Sequence, residues 1–274
     1  MSIITLTSDF GTKDTYVGVM KGVILSINPS ATIIDLTHEI PAQNVAVGAW
    51  QISKAYSYFP AGTIHLVVVD PGVGSDRRAV ISQISDHIFV CPDNGLLSII
   101  SKESPIGNSV MIENDSYFLS HISNTFHGRD IFAPVAAYLA AGIAMSEFGP
   151  SIERLHKINF SHIKFDNSQI EGQIVWIDNF GNAVTNISQQ SINQILPNLE
   201  LQISFAHQKI FGLCSAYNQV KTGETMAIIG SSGHLEISVN QGSAQQLYGL
   251  SIGNFVSVNA LDPWNNTPES QNKK

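Results

Sequence analysis

The segment HLVVVDPGVGSDRRAV, residues 65–80, joins a run of apolar side chains to an aspartate, a glycine-rich turn and two arginines. Residues 66–69 are typical of a buried strand, because a continuous β-branched run has no polar face to turn toward water. Asp70 then lies at the edge of a buried sheet, where desolvation disfavours its charge unless a cation lies nearby. The glycines let the loop fold back closely, so we expect Arg77 or Arg78 to be that cation. The alternative is a purely structural ion pair that closes a tight turn.

Composition and charge limit the classes of partner. Of the 274 residues, 43% are hydrophobic and 13% are charged, enough for two modest cores, and the formal net charge is −8. A nucleic acid or an anionic membrane needs clustered Lys and Arg, so we expect neither as a partner. The two cysteines, Cys91 and Cys214, form no CxxC motif, which predicts neither a disulfide framework nor a thiolate metal site. With no basic leader and no apolar run near the about 20 residues of a membrane helix, we expect a cytoplasmic protein.

Short β-branched runs alternate with helix-like segments in the first half of the chain, which is typical of crossover helices around a largely parallel sheet. The predicted strands are residues 3–7, 31–36, 64–69, 79–84 and 88–91, and the last two are expected to pair. Three helices are predicted, of which the second and third are residues 44–58 and 130–141. Asp14 or Thr15 is a candidate cap for the first helix, which Asn28 and Pro29 end.

The second half has a different pattern, with strands separated by turns. The predicted strands are residues 170–177, 201–205, 226–229, 234–239 and 255–258, with one helix at 190–196. The fold class is therefore α/β. We expect an N-terminal α/β domain over residues 1–160, a smaller, mainly β domain over 168–262 and a disordered tail over 263–274.

Polar clusters follow two further predicted elements of the first half. Ligands in such sheets bind beyond the carboxyl ends of the strands, where SDFGTKD places Asp9 and Asp14. FHGRD places His127, Arg129 and Asp130 before the third helix. The competing interpretations are a turn residue for Asp9, helix caps for Asp14 and Asp130, and a hydrogen-bonded loop histidine for His127.

Two segments of the second half are also candidates for ligand binding. In WIDNFGN, Asp178, Phe180 and Asn182 follow an apolar strand and are suited to a planar heterocycle, although the same residues can form a hairpin turn. IIGSSGHLEISVNQGSA offers further polar groups at a strand end: Ser231, Ser232, Glu236 and the backbone at Val239. The chain contains no Walker loop, dinucleotide GxGxxG, GxSxG or HExxH motif.

Taken together, six motifs resemble the S-adenosylmethionine (SAM) hydrolases, or SAM hydroxide adenosyltransferases, which are relatives of enzymes that fluorinate or chlorinate the same substrate. The motifs are TSDFGTKDTYVGVMKG, VVVDPGVGSDRR, CPDNGLL, NTFHGRD, WIDNFGNAVTNI and GSSGHLEISVNQGSA, and the match covers about residues 3–259. The resemblance implies a C-terminal β-barrel domain and a homotrimer with active sites at subunit interfaces. It also implies that water displaces methionine from ribose C5′ by nucleophilic substitution, with no metal and no organic cofactor.

The resemblance also assigns residues. The family's catalytic Asp, Arg and His fall on Asp70, Arg77 and His127, and which of Asp70 and His127 takes the proton of water stays open. The implied substrate contacts are Asp9 for the ribose, Asp14 for the methionine side, Asp178 and Asn182 for the methionine amino group and the adenine, Ser231 and Ser232 for the methionine carboxylate, the backbone of Val239 near the adenine, and Glu236.

Three alternatives compete with SAM hydrolysis. The first is a SAM-dependent halogenase, but the halogenating relatives carry a neutral residue in place of Asp70 and a serine in place of Gly128. The second is a metal-dependent hydrolase, which Arg77 and Arg129 beside the acidic groups disfavour. The third is a non-catalytic nucleoside- or SAM-binding module, which has no need of Asp70, Arg77 and His127 together.

Overall fold

A computed structural model describes residues 2–160, 163–166, 168–197 and 200–261. The chain divides into two compact units, Met1–Asn159 and Phe160–Lys274. The tail predicted at residues 263–274 lies outside the described residues. Within the described ranges, no helix is long and apolar enough to cross a membrane.

A six-stranded mixed sheet forms the centre of the first unit. Its strands are β1 (Ile3–Ser8), β2 (Thr32–Thr37), β3 (Ile64–Val68), β4 (Ala79–Ile84), β5 (His87–Pro92) and β6 (Ile106–Met111), in the order β2-β1-β3-β5-β4-β6. The pairs β2–β1, β1–β3 and β3–β5 are parallel, whereas β4 pairs antiparallel with β5 and β6. The predicted pair β4–β5 is confirmed, and its two-residue connection requires an antiparallel arrangement. The sheet is therefore parallel at one side only.

The first unit contains the three predicted helices and one short helix that was not predicted. They are α1 (Tyr16–Ile27), α2 (Val45–Ala55), the unpredicted α3 (Ile100–Glu103) and α4 (Ala133–Ala140), with short 3₁₀ turns at Tyr56–Tyr58, Asp115–Tyr117 and Met145–Phe148 and a π turn at Gly128–Phe132. The predicted side-chain cap of α1 is wrong, because Thr15 holds the cap position but its hydroxyl accepts no hydrogen bond there. The predicted cap at Asp130 is also wrong, because Asp130 lies inside the π turn.

One hydrophobic core lies between the sheet and the helices α1 and α4, which pack against each other. α4 also contacts β1 and β3, the two strands whose carboxyl ends carry the candidate aspartates. The largest fully buried side chains here include Phe132 and Phe148. Truncation of such a residue to alanine typically costs about 3–5 kcal/mol, so this core fixes the strand ends firmly.

The second unit is an eight-stranded antiparallel sheet. Its strands are β7 (Lys164–Phe165), β8 (Gln169–Ile177), β9 (Ala183–Ser188), β10 (Leu201–Phe205), β11 (Gln208–Phe211), β12 (Thr225–Ile229), β13 (His234–Val239) and β14 (Phe255–Ala260), with the helices α5 (Gln189–Ile195) and α6 (Ala244–Tyr248). The order is β11-β10-β14-β8-β9-β13-β12, and β7 pairs with β8. The two ends approach each other, since Cys214 after β11 forms a bridge with Ile228 of β12. The sheet is therefore barrel-like and nearly closed.

Candidate active site

The loop after β3 brings Asp70 and Arg77 together. Arg77 Nε donates to the Asp70 carboxylate at 2.9 and 3.0 Å, and Arg77 Nη2 donates to Asp70 Oδ2 at 2.5 Å. Both side chains are largely buried, with 12% of Arg77 and 5% of Asp70 exposed. Gly74 makes this return possible, because its φ of +77° suits glycine and a Cβ there would collide with the backbone oxygen of Asn124.

His127 completes a cluster of three side chains. Arg77 Nη2 lies 2.8 Å from His127 Nδ1. Because a guanidinium only donates hydrogen bonds, Nδ1 is the acceptor and the neutral imidazole carries its hydrogen on Nε2. Burial lowers the pKa of His127 below its ordinary value, and the positive charge of Arg77 lowers it further. The structure therefore brings together the three residues predicted to be catalytic, with His127 neutral.

Arg78, the other candidate partner of Asp70, has a separate structural role. Its Nη2 atom forms an ion pair with Asp93 and donates to the backbone oxygen of Arg154 at 2.9 Å. Asp93 also accepts from the backbone N–H of His156 at 2.7 Å. Arg78 and Asp93 thus hold the last segment of the first unit in place.

Arg129 and Asp130 also form a pair of their own. Arg129 Nε donates to Asp130 Oδ1 at 2.6 Å, and the fully buried Asp130 accepts from the backbone N–H of Ser123 at 2.8 Å. These bonds fix the loop that precedes His127.

The two predicted aspartates after β1 lie in different environments. Asp9 Oδ2 accepts from the backbone N–H of Gln43 at 2.7 Å, which orients its carboxylate. Asp14, in contrast, is exposed. Among the described side chains, no hydrogen bond joins Asp9 or Asp14 to Asp70.

A cavity of about 740 Å³ opens in the second unit. Its lining consists of Asp178, Phe180, Asn182, Tyr217, Ser231, Glu236, Val239, Gln241, Gly242, Ser243 and Gln246. The lining includes every substrate contact predicted in this half of the chain except Ser232. The Ser232 hydroxyl is buried and, among the described residues, has no hydrogen-bond partner.

The lining residues that were not predicted from the sequence are Tyr217, Gln241, Gly242, Ser243 and Gln246. Tyr217 lies in a short 3₁₀ turn, Tyr217–Gln219, between β11 and β12, where no periodic pattern marks it. Gln241 and Ser243 lie in the turn shortly after the end of β13, and that strand end is the sequence signal that points to them.

The turn between β8 and β9 is both a hairpin and part of the cavity wall. Asp178 Oδ1 accepts from the backbone N–H groups of Phe180 and Asn182 at 2.9 and 2.8 Å, and Asp178 Oδ2 accepts from Asn182 Nδ2 at 2.8 Å. The interpretation as a hairpin turn is therefore confirmed. The turn leaves the ring of Phe180 75% exposed and the Asn182 amide oxygen as an acceptor.

The charges in this cavity are acidic. Tyr217 Oη donates to Glu236 Oε2 at 3.2 Å. Burial raises the pKa of Glu236, and the nearby charge of Asp178 raises it further. Burial also raises the pKa of Tyr217 to about 12, together with the charge of Glu236. No Lys, Arg or His side chain is among the described lining residues, so the cavity suits a ligand that carries positive charge.

Cys91 and Cys214 are both free thiols. The described part of the chain contains no group of three His, Cys, Asp or Glu side chains arranged to hold a metal ion.

Comparisons with known proteins cover almost the whole chain. Residues 4–149 match the family model of the SAM hydroxide adenosyltransferase N-terminal domain, and residues 172–257 match that of the C-terminal domain. A protein of Salinispora tropica named (R)-S-adenosyl-L-methionine hydrolase is 33% identical over 262 residues, covering 94% of this chain and 97% of the relative. A fluorinase of Actinoplanes is 26% identical, covering 93% of this chain and 97% of that relative. The crystal structure of an uncharacterized conserved protein from Thermotoga maritima is similar with a TM-score of 0.88 and 36% identity, covering 93% of this chain and 99% of that one.

Proposed function

This chain belongs to the SAM hydroxide adenosyltransferase family, and we propose that it hydrolyses S-adenosyl-L-methionine to adenosine and L-methionine. Relatives named as hydrolases of this substrate are 31 to 34% identical over most of the chain. The observation that carries the proposal is the cluster of Asp70, Arg77 and His127, whose side chains are joined by hydrogen bonds in a largely buried setting. It supplies a charged carboxylate and a neutral imidazole, the groups that can orient and deprotonate water.

The chemistry needs help mainly at the attacking water. The bond from water oxygen to ribose C5′ forms while the C5′–sulfur bond breaks, and methionine leaves as a neutral thioether that needs no proton. The protein therefore has to aim the water along the C5′–sulfur axis and remove one proton. General-base assistance of this kind is typically worth about 10²–10⁴-fold in rate.

We assign the proton to Asp70 rather than to His127. His127 accepts from Arg77 at Nδ1 and carries hydrogen on Nε2, so neither ring nitrogen has a lone pair to offer to water. The Nε2–H group can instead donate to the water oxygen and orient it. Arg77 holds Asp70 and His127 in place through the hydrogen bonds that it donates to both.

The acidic cavity of the second unit supports a cationic substrate. SAM carries a sulfonium and an ammonium group, and Coulomb attraction in a partly dry site exceeds that in bulk water. In the proposed binding mode the exposed ring of Phe180 stacks on the adenine and Asn182 reads its edge. The further proposed contacts are Asp9, Asp14, Asp178, Ser231, Ser232, Glu236 and the backbone of Val239.

We also propose the assembly that the family resemblance implies: a homotrimer in which a β-barrel domain of one subunit completes the active site of another. This arrangement would combine a triad from one chain with a cavity from its neighbour. The expected cytoplasmic location and the expected absence of a metal or organic cofactor stay predictions.

The chemistry of the cluster favours water over halide as the nucleophile. An anionic Asp70 beside the reacting carbon repels fluoride and chloride but can accept a proton from water. A Cβ at Gly128 would lie 3.3 Å from ring atoms of both Phe10 and Phe126, so a serine there requires these rings to shift.

Product analysis tests the proposal. Purified protein is incubated with SAM in EDTA, with and without fluoride or chloride, and nucleosides and amino acids are separated and identified by mass. We expect adenosine and methionine in equal amounts under all conditions. A 5′-halo-5′-deoxyadenosine product would instead identify a halogenase, and loss of activity in EDTA would overturn the prediction of metal independence.

A further inference from the structure

Four polar side chains form a hydrogen-bonded network next to the turn that carries Asp9: Lys21, Asp35, His38 and Ser8. Lys21 Nζ of α1 donates to Asp35 Oδ2 of β2 at 2.5 Å, and His38 Nε2 lies 3.0 Å from Asp35 Oδ1. On its other side, His38 Nδ1 lies 2.7 Å from Ser8 Oγ at the end of β1. Ser8 is 2% exposed and His38 is 5% exposed, so solvent does not replace the bond between them.

Asp35 determines which groups of this network donate and which accept hydrogen bonds. Burial raises the pKa of Asp35, but the hydrogen bonds from Lys21 and His38 outweigh burial and lower it. Asp35 is therefore an ionised acceptor, and His38 carries a hydrogen on Nε2. In the neutral imidazole Nδ1 then accepts from the Ser8 hydroxyl, while Ser8 Oγ accepts from the backbone N–H of Phe10 at 3.3 Å.

Ser8, His38 and Asp35 have the residue types of a nucleophilic triad, but they do not form one. Ser8 is buried, and its oxygen accepts from the backbone N–H of Phe10 in the turn. A nucleophile needs an oxygen that a substrate can reach. The arrangement is suited to holding the backbone after β1 rather than to attacking a substrate.

Two further contacts connect His38 and the loop after it to the Asp9 turn. The backbone N–H of Gly11 donates to the carbonyl oxygen of His38 at 2.7 Å. The backbone N–H of Gln43 donates to Asp9 Oδ2 at 2.7 Å. Ser8, Asp9 and Gly11 are thus each bonded to the segment 38–43, and His38 contributes both its side chain and its backbone.

We propose that His38 is a positioning residue for SAM binding, which it serves by holding the Ser8–Gly11 turn so that the Asp9 carboxylate faces the ribose hydroxyls. This inference rests on the proposed function and on the proposed role of Asp9. Loss of His38 removes the buried partner of the Ser8 O–H group and leaves Ser8 with only its contact to the backbone N–H of Phe10, which frees the turn. Ribose binding then weakens while Asp70, Arg77 and His127 keep their geometry.

Steady-state kinetics with three variants test the proposal. For His38→Ala we expect KM for SAM and the Kd of adenosine to rise roughly tenfold, with kcat changed by less than about threefold. His38→Gln should recover most of the affinity, because an amide can both donate to Asp35 and accept from Ser8. In an Asp9→Asn background, His38→Ala should cause little further loss, since the two changes act on one contact.

The control is His65→Gln, a change at another buried histidine of the same sheet whose bonds go to Thr5 and His87 and not to the Asp9 turn. It should lower thermal stability without changing KM. If His38→Ala fails to fold, Ser8→Ala replaces it, with a smaller rise of KM expected.

Three results would overturn the inference: a wild-type KM in His38→Ala, an equal loss of affinity in the Asp9→Asn background, or a loss confined to kcat. Wild-type protein that turns over no SAM would instead overturn the proposed function. The Kd of adenosine still decides the role of His38 in that case, and wild-type protein that binds no adenosine refutes it as well.

Discussion

At the scale of single residues, the centre of the proposed site is a buried anion with one guanidinium beside it. The Asp70 side chain is 5% exposed and accepts three hydrogen bonds from Arg77. Removal of one partner of a buried ion pair typically costs about 3–5 kcal/mol, because the other charge is left uncompensated. Replacing Arg77 leaves the buried Asp70 anion uncompensated and Asp70→Asn leaves the buried Arg77 cation uncompensated, so both changes mix stability with catalysis, whereas His127→Ala keeps the ion pair.

Asp70→Asn and His127→Ala are each expected to lower turnover at least about tenfold while adenosine binding stays close to that of the wild type. The first removes the proton acceptor and the second the group that orients water. A product assay beside calorimetry measures both quantities. Asp93→Asn is the matched control, because it makes the same change in the neighbouring pair with Arg78 and should lower stability but not kcat. Normal turnover in both test variants would refute the assigned roles.

The buried histidines of β3 and β5 predict a pH dependence of stability. Burial and, to a smaller extent, the nearby His87 together lower the pKa of His65 to about 3. The pKa of His65 is therefore lower in the folded protein than its ordinary value of 6.5 in the unfolded chain. The contribution of neutral His65 to the unfolding free energy is fully present above pH about 6.5 and is lost as the pH falls toward about 3. The loss from one such group reaches about 1.4 kcal/mol per pH unit.

Urea unfolding at several pH values checks this dependence. His65→Asn should be less stable than the wild type near neutral pH and should lose less of its unfolding free energy between about pH 7 and about pH 5. His121→Asn, at an exposed histidine, should follow the wild-type profile. Identical slopes in the wild type and His65→Asn would show that His65 does not titrate differently in the two states.

At the scale of elements, the loop between β3 and β4 determines whether the cluster forms. It has to leave a buried strand, turn within a few residues and return Arg77 to Asp70. The positive φ of Gly74 and its close approach to Asn124 are the two features that a side chain would disturb. Asn124 lies in the loop that leads to His127, so the same contact connects both halves of the cluster.

Gly74→Ala is expected to lower kcat on the order of tenfold, because small displacements of catalytic groups are costly. Gly62→Ala is the matched control, since Gly62 has a φ of +81° in the same unit but open space around it. Both changes should lower the melting temperature through the backbone strain, which costs about 1 kcal/mol. Equal kcat values for the two variants would show that the contact with Asn124 is not needed.

Local patterns predicted the elements that have a strong period or a continuous apolar run. They identified β3, the pair β4–β5 and the return of an arginine to Asp70, but the adjacent residues Arg77 and Arg78 were equivalent in sequence. What separates them is tertiary, since Arg78 bonds Asp93 and the distant backbone of Arg154. The sequence also missed β9 (Ala183–Ser188), whose alternation is interrupted by polar side chains.

Contacts of the candidate site between residues that are distant in sequence could likewise not be predicted. Tyr217 contacts Glu236 of β13 only because the tertiary fold brings the 3₁₀ turn Tyr217–Gln219 to that strand. His38 has no distinctive spacing beyond its proximity to Asp35, and its bond to Ser8 exists only because β1 and β2 are neighbours.

At the scale of the whole molecule, the proposed chemistry needs groups from both units. The cluster of Asp70, Arg77 and His127 belongs to the first unit, and the acidic cavity belongs to the second. The proposal requires one substrate molecule to contact both, and in the proposed trimer the two would come from neighbouring chains. A closed ring of identical interfaces gives every subunit the same pair of partners.

Mixing two inactive variants tests the shared site. Asp70→Asn disables the first unit and Asp178→Ala the second, so a mixed trimer contains some sites with both halves intact. Random assembly from equal amounts predicts up to roughly a quarter of wild-type activity after co-expression or joint refolding. Light scattering should give three subunits per particle. If the mixture stays inactive although mixed trimers form, each site lies within one chain.

The central claim is that this protein aims water at the ribose carbon of SAM, and an isotope experiment tests it most directly. The reaction is run in water enriched in ¹⁸O with chloride present, and the products are analysed by mass spectrometry. The account predicts adenosine with one ¹⁸O atom at the 5′ oxygen and unlabelled methionine. A 5′-chloro nucleoside, or adenosine without the label, would contradict it.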